Sequence, residues 1–170
     1  MHVAFDGGSK AGVGSAGYVI ADVYGGEVVR KGLYLGPGVT NNEAESTGVY
    51  QALQGLAELQ DAGRAGLKAN VRVLGDSQLV VRHLLRLYKR SAKPTLYLPI
   101  EGTKSLVRKR GWKVAFRYVP RVINGPADDM CRRALAAQQD VLFEEGQVPE
   151  DAPPLELDAL YEQVASQAKG

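Results

Sequence analysis

Two aspartates stand where short apolar runs end. Asp6 closes His2-Val3-Ala4-Phe5, and Asp76 follows Val71-Arg72-Val73-Leu74-Gly75. Open α/β sheets hold their ligands outside the carboxyl ends of strands, so both carboxylates are placed for a site. If the two strands are neighbours, the carboxylates converge within a few ångströms. Like charges at that range repel unless protons or cations fill the gap, and Mg²⁺ is the usual hard cation for oxygen ligands alone. The competing role for Asp76 is a helix N-cap, which Ser77 can fill as well.

Helix phase, at about 100° per residue, singles out two more acids. In the helix opening at Thr40-Asn41-Asn42-Glu43, the inward stripe is Val49, Ala52, Leu53 and Leu56. Glu45 lies about 40° from Val49 on that helix, whereas Glu43 lies about 120° away. A buried acid is costly unless it is paired or binds metal, which makes Glu45 the candidate. Glu43 reads instead as the reciprocal partner of the Thr40 cap. In the last core helix, Ala127, Cys131, Ala134, Leu135 and Gln138 set the inward direction. Asp128 lies roughly 75° from the mean of that stripe, and Asp129 points nearly opposite, into solvent. Both belong to the first turn, where the helix dipole favours negative charge, but only Asp128 is placed to do more.

The elements that must position these acids follow from the pattern of apolar residues. Residues 2–6, 18–23 and 27–35 read as three consecutive strands, the last two joined by a hairpin turn at Tyr24-Gly25-Gly26. A Gly-rich stretch, Gly7 to Gly17, separates the first two. Helices are expected from Thr40 toward Gly63, from Gln78 to about Tyr88, over Ile100–Arg110 and over about Ala127–Gln139. Val71–Leu74 and Trp112–Val119 are the remaining strands, with a basic connection from Lys89 to Pro99. Three strands followed by alternating helices and strands indicate a mixed α/β sheet.

Residues 1–139 form the expected catalytic domain, and 140–170 an acidic linker and tail. Gly146–Pro154 is rich in Pro and acids, and Leu155, Leu157, Leu160, Tyr161 and Val164 suggest a short amphipathic helix after it. The 170 residues suit one domain with a sizeable core, and 45% hydrophobic residues are ordinary for a soluble protein. No run approaches the roughly 18 apolar residues of a membrane-spanning helix, so no membrane partner is expected. The start lacks the layout of a signal peptide. Cys131 is the sole cysteine, which excludes an internal disulfide framework and argues against a cysteine-based zinc site. A reduced, cytoplasmic setting is the expectation.

The net charge of +2 conceals a cancellation. Residues 1–139 carry 20 Lys and Arg against 11 Asp and Glu, a balance of +9, while residues 140–170 carry one Lys against eight acids, −7. Residues 82–121 alone hold twelve basic side chains and one acid, Glu101. This asymmetry fits a polyanion-binding body with an acidic tail, the alternative being a solvated basic face.

Four motifs then occur in register: Phe5-Asp6-Gly7-Gly8-Ser9; Thr40-Asn41-Asn42-Glu43-Ala44-Glu45; Gly75-Asp76-Ser77-Gln78-Leu79-Val80-Val81; and Val119-Pro120-Arg121 with Asn124-Gly125-Pro126-Ala127-Asp128. With these the chain resembles type 1 ribonuclease H, in the variant without the histidine loop, over residues 1–139. The resemblance implies a ribonuclease H-like, five-stranded mixed sheet flanked by helices, and metal binding by Asp6, Glu45, Asp76 and Asp128. It implies an endoribonuclease that hydrolyses the RNA strand of RNA/DNA hybrids with two Mg²⁺ ions, for which Mn²⁺ can substitute, leaving 5′-phosphate and 3′-hydroxyl ends. Asp6 would bridge both ions and Glu45 would lie near the 2′-hydroxyl. Substrate contacts would fall on Gly7, Asn41, Asn42, Gln78, Arg121 and Asn124.

The chain departs from the family pattern in three places. Gly12-Val13-Gly14 stands where Asn-Pro-Gly is frequent; no histidine occurs between Tyr118 and Asp128; and the 140–170 tail lies outside the resemblance. The histidines are His2, beside the first strand, and His83, expected to pack on the second helix. The basic segment lies roughly where some relatives grip the DNA strand, with Tyr88 and Tyr97 able to stack on sugars and Trp112 better suited to the core. A catalytically retired, nucleic-acid-binding module is the alternative, weakened by the presence of all four acids. A junction resolvase of the same superfamily fits the Thr-Asn-Asn and Asp-Ser-Gln motifs poorly. The tail is open to docking on the body, homodimer formation, contact with another protein, or shielding of the basic face.

Overall fold

A computed structural model describes residues 1–22, 26–65, 70–86, 89, 93–156, 158, 159 and 162. Its strands are β1 (His2–Lys10), β2 (Val13–Ala21), β3 (Glu27–Pro37), β4 (Asn70–Gly75), β5 (Lys113–Tyr118) and β6 (Val141–Glu144). Its helices are α1 (Asn41–Asp61), α2 (Gln78–Leu84), α3 (Pro94–Arg110) and α4 (Gly125–Ala137), with a 3₁₀ turn at Arg121–Ile123. The strands form one mixed sheet in the order β5-β4-β1-β2-β3-β6. β1, β2, β3 and β6 pair antiparallel, whereas β4 pairs parallel with both β1 and β5.

Much of the Gly-rich stretch is strand. β1 and β2 run to Lys10 and from Val13 around a tight turn in which Ala11 and Gly12 both take positive φ, 52° and 77°. That conformation suits the hairpin twist. Between β3 and β4 the chain crosses over through α1, which lets β4 lie parallel to β1 on its free side. The α1 N-cap is Thr40, whose hydroxyl oxygen accepts from the Glu43 N–H at 3.3 Å. Glu43 does not answer with the expected bond to the cap's backbone: its carboxylate takes the Thr40 hydroxyl at 2.8 Å and the Lys93 ammonium at 2.9 Å. These partners hold the Glu43 carboxyl down at about 2, with Lys93 the largest influence.

The main core lies between the sheet and α1, α2 and α3, where Phe5, Ile20, Leu53, Leu56, Val73 and Val80 are buried together. Trp112 joins it as expected, its indole N–H donating to Gln60 Oε1 at 3.1 Å. The other face carries α4, whose backbone lies directly on the sheet: a Cβ at Gly17 or Gly32 would overlap the carbonyl of Ala127 or Met130.

The sheet has six strands where five were expected. Val141–Glu144 adds to β3 at the edge, within the segment read as acidic linker. Asp140 accepts from the Tyr34 N–H at 3.0 Å, and Glu144 pairs with Arg64 at 2.9 Å. The chain then turns across the α4 face. Asp151 meets Arg133 at 3.2 Å, the Pro153 carbonyl accepts from Arg30 at 2.7 Å, and Leu155, like Ile123, packs against the Leu74–Val119 cluster. Leu157, Leu160, Tyr161 and Val164, on which the tail helix was inferred, lie outside the described residues, as do Tyr24, Gly25, Leu87 and Tyr88. Helix α3 starts at Pro94 rather than near Ile100, because a proline in the first turn is compatible with a helix. Among the described residues, no helix is long and apolar enough to cross a membrane.

Candidate active site

The register places Phe5 beside Gly75 in the parallel β1/β4 pair, so Asp76, just past the end of β4, lies beside Asp6. Asp6 does not end its strand as expected but sits within β1, paired with Gly17 of β2. Gly75 is required there, since a Cβ would collide with the Phe5 ring. The third acid is brought in by close approach of α1. A Cβ on Gly7 would overlap the backbone of Ala44 and Glu45, and one on Gly48 would lie 2.7 Å from the Asp6 carbonyl oxygen. With no side chain at either contact, α1 rests on β1 and Glu45 comes beside Asp6. Oxygens of Asp6, Glu45 and Asp76 all lie within 4.8 Å of one another.

These three acids and Asp128 line one cleft of about 830 Å³. Asp128 sits on its α4 wall, paired with Arg132 at 2.9 Å and near the Arg121 guanidinium at 3.9 Å. It stands outside the three-oxygen group. Its neighbour Asp129 is not in solvent as expected but half-buried, bonded to Arg133 Nε at 2.7 Å. The segment after β6 covers that side of α4 through the Arg133–Asp151 pair.

Burial is the first cause of the electrostatic strain. It raises the Asp6 carboxyl well above the carboxylate range, and the Asp76 charge adds to the shift while the Gly7 N–H, donating at 2.8 Å, opposes it. Burial likewise pushes Glu45 up to about 7, against a hydrogen bond from Ser77. Asp76 is raised by burial too. Its Oδ2 is buried without a hydrogen-bond partner. Converging carboxylate oxygens, one of them orphaned, are a hard-oxygen donor set of the kind Mg²⁺ or Mn²⁺ takes. Ser77 caps α2 by accepting from the Val80 N–H at 3.2 Å, so Asp76 is free of that duty.

The remaining expected contacts divide. Gly7, Asn41, Asn42 and Arg121 line the cleft, and Arg121 is well exposed. Asn41 is also tied into the wall, its Oδ1 accepting from the Ser9 N–H at 2.6 Å. Gln78 is exposed at the start of α2 but does not line the cleft. Asn124 is 1% exposed and lies behind the cleft, its amide donating to the Phe5 carbonyl at 2.8 Å. Lys10 and Arg132, absent from the expected set, line the cleft. Both positions carried a periodic signal, Lys10 four residues after Asp6 on one strand face and Arg132 one helical turn after Asp128. Of the expected DNA-gripping cations, Lys93 and Arg110 are spent on Glu43 and Asp61.

A family model described as reverse transcriptase-like matches residues 4–134. Among solved structures, ribonuclease H1 from the halophilic archaeon Halobacterium salinarum NRC-1 is 29% identical with a TM-score of 0.68, covering 80% of this chain and 97% of that one. LC11 ribonuclease H1, isolated from compost by a metagenomic approach, is 30% identical with a TM-score of 0.68, covering 81% and 96%. LC11 ribonuclease H1 in complex with an RNA/DNA hybrid gives 27% identity and a TM-score of 0.72, covering 81% and 97%. No curated protein matches.

Proposed function

Since the chain belongs to the type 1 ribonuclease H family, we propose that it is an endoribonuclease that hydrolyses the RNA strand of RNA/DNA hybrids with two divalent cations. The observation that carries this reading is the convergence of Asp6, Glu45 and Asp76 in an open cleft, with Asp76 Oδ2 buried and unpartnered. Asp6, whose carboxylate lies within reach of both other acids, would hold the ions together with them. Glu45 and Asp76 complete the set, and Asp128 joins from α4. Bound there, a pair of Mg²⁺ ions would supply an activated water and a stabilised leaving oxygen for in-line displacement at phosphorus, with 5′-phosphate and 3′-hydroxyl products.

The chain's own groups do the rest. Arg121 places an exposed guanidinium at the mouth of the cleft, where it steadies the scissile phosphate. Arg132 pairs with Asp128 on the α4 wall and fixes its carboxylate there. Asn41 and Asn42 offer amides to sugars and base edges, and the 2′-hydroxyl that distinguishes RNA lies against Glu45. Lys10 and the +9 body hold the polyanion near acids that would otherwise repel it.

The test is incubation of the wild type and Asp76→Asn with Mg²⁺ and labelled hybrid, double-stranded RNA or double-stranded DNA. Cleavage of the hybrid alone, lost in the variant, is the expected result. Hybrid binding by a wild type that cleaves nothing would overturn the reading in favour of a binding module.

A further inference from the structure

We infer that Asn124 is a positioning residue for the carboxylate site, clamping the chain segments that carry Asp6, Asp76 and Asp128 in register, and is not a substrate contact. Four bonds or contacts converge on it, three of them from those segments and one from the Arg121 turn. The side-chain amide donates to the carbonyl of Phe5, the residue before Asp6. The same side chain also reaches the Asp76 carboxylate. The Asn124 backbone N–H donates to Arg121 at 3.1 Å, and its carbonyl accepts from the Asp128 N–H at 3.1 Å. One residue therefore joins the middle of β1, the end of β4, the Arg121 turn and the start of α4.

This arrangement is unfavourable for stability considered alone. Asn124 stands at the N-cap of α4, where an asparagine side chain ordinarily accepts from the helix's own first N–H groups. Here the side chain makes no cap hydrogen bond. Its Oδ1 is buried without a partner, a second cost. Both costs follow from turning the amide away from its helix and toward β1. A residue that served only to start α4 would cap it and leave no orphan. The burial that removes Asn124 from the cleft also removes it from any bound nucleic acid, so its influence on the reaction passes through the acids. Without the amide, the hydrogen bond from the start of α4 to the Phe5 carbonyl is lost, and Asp128 shifts relative to Asp6.

The kinetic part of the test rests on the hydrolysis proposed above. Asn124→Ser retains a side chain that caps helices well but is too short to reach Phe5. Its expected behaviour is a melting temperature close to the wild type and a hybrid Kd, measured with Ca²⁺ in place of Mg²⁺, within about twofold. The kcat should fall at least tenfold. As a control for general loosening, Leu155→Ala should lower the melting temperature with kcat unchanged. A rise in KM and Kd at constant kcat would make Asn124 a substrate contact and overturn the clamp. So would a kcat within twofold of wild type. Carboxyl ¹³C resonances of Asp6 and Asp76 in the metal-free protein provide a readout independent of turnover: they should shift in Asn124→Ser and stay in place in Leu155→Ala. A wild type without hydrolytic activity would refute the proposed function and leave this comparison to decide the clamp, with unshifted resonances counting against it.

Discussion

Arg30 and Asp6 point from the same face of the sheet in adjacent rows, Ala4–Val19–Arg30 and Asp6–Gly17–Gly32, and both have left water. Their surroundings are opposite. Each nitrogen of the Arg30 guanidinium has a partner: Nε and Nη2 donate to the Glu27 carboxylate and Nη1 to the Pro153 carbonyl. Asp6 faces two more acids, and one oxygen among them has no partner at all. A buried charge paired with an opposite charge belongs to the architecture. A buried cluster of one sign is stability given up, and it marks the place where function is to be sought.

The contrast is broken most severely at the acids. Asp76→Asn should reduce Mg²⁺-dependent hydrolysis by about 10³-fold or more, because on the proposed reading a ligand and its charge would be lost where the reaction develops charge. The melting temperature of the metal-free variant should nevertheless rise, since a like charge has gone. A fall in both would mean that Asp76 is an ordinary structural residue. Next in size is Arg30→Ala, which strands the Glu27 carboxylate and should cost about 3–5 kcal/mol in denaturant unfolding. Hydrolysis per folded molecule should be unchanged. A matched double replacement, Arg30→Met with Glu27→Leu, should recover most of that loss if pairing is what Arg30 is for.

The pH dependence sharpens the comparison further. Asp6 and Glu45 are raised in the folded chain, Glu45 from its ordinary 4.5 to about 7. Between those limits the folded state holds protons that the unfolded state has released, so the stability of the metal-free protein should fall as pH rises from near 4 toward 8. Asp76→Asn should flatten that slope and Arg30→Met/Glu27→Leu should leave it alone, as thermal melts across pH would show. The smallest effect belongs to a pair resembling neither region. Arg64 and Glu144 are both over two-fifths exposed, and Glu144→Gln should change the unfolding free energy by less than about 1 kcal/mol.

The convergence of Asp6, Asp76 and Glu45 was legible because the end of β4 and helix phase are local properties, although Asp6 proved to lie within its strand and not at its end. A few neighbouring residues suffice to say which way Glu45 faces, and the parallel pairing of β1 with β4 then brings it to the aspartates. The sixth strand was not legible, because Val141–Glu144 is short and set among acids. Only its distant pairing with β3 distinguishes it from tail. Arg30 was equally opaque: in the sequence it is a strand arginine with every expectation of solvent, and its burial depends on a segment more than a hundred residues away. Asn124 fell between these cases. Its motif placed it at the site, but whether an amide at a helix start faces a ligand or a backbone carbonyl is settled by packing, which no short motif records. The prolines of α3 misled in the other direction, since Pro94 opens a helix where a connection was expected.

The parallel pairing of β1 with β4 also bears on how the protein is made. β1 and β2 are joined by a two-residue turn and can zip as soon as both leave the ribosome, but β4 docks on β1 across some 70 residues of intervening chain. α4 follows later still. The acids therefore meet late in synthesis, and an emerging chain that already displays Asp6 has no assembled centre. Hydrolytic competence becomes a report that folding has finished, and divalent cations, binding the completed set, would act on the last step of assembly and not the first.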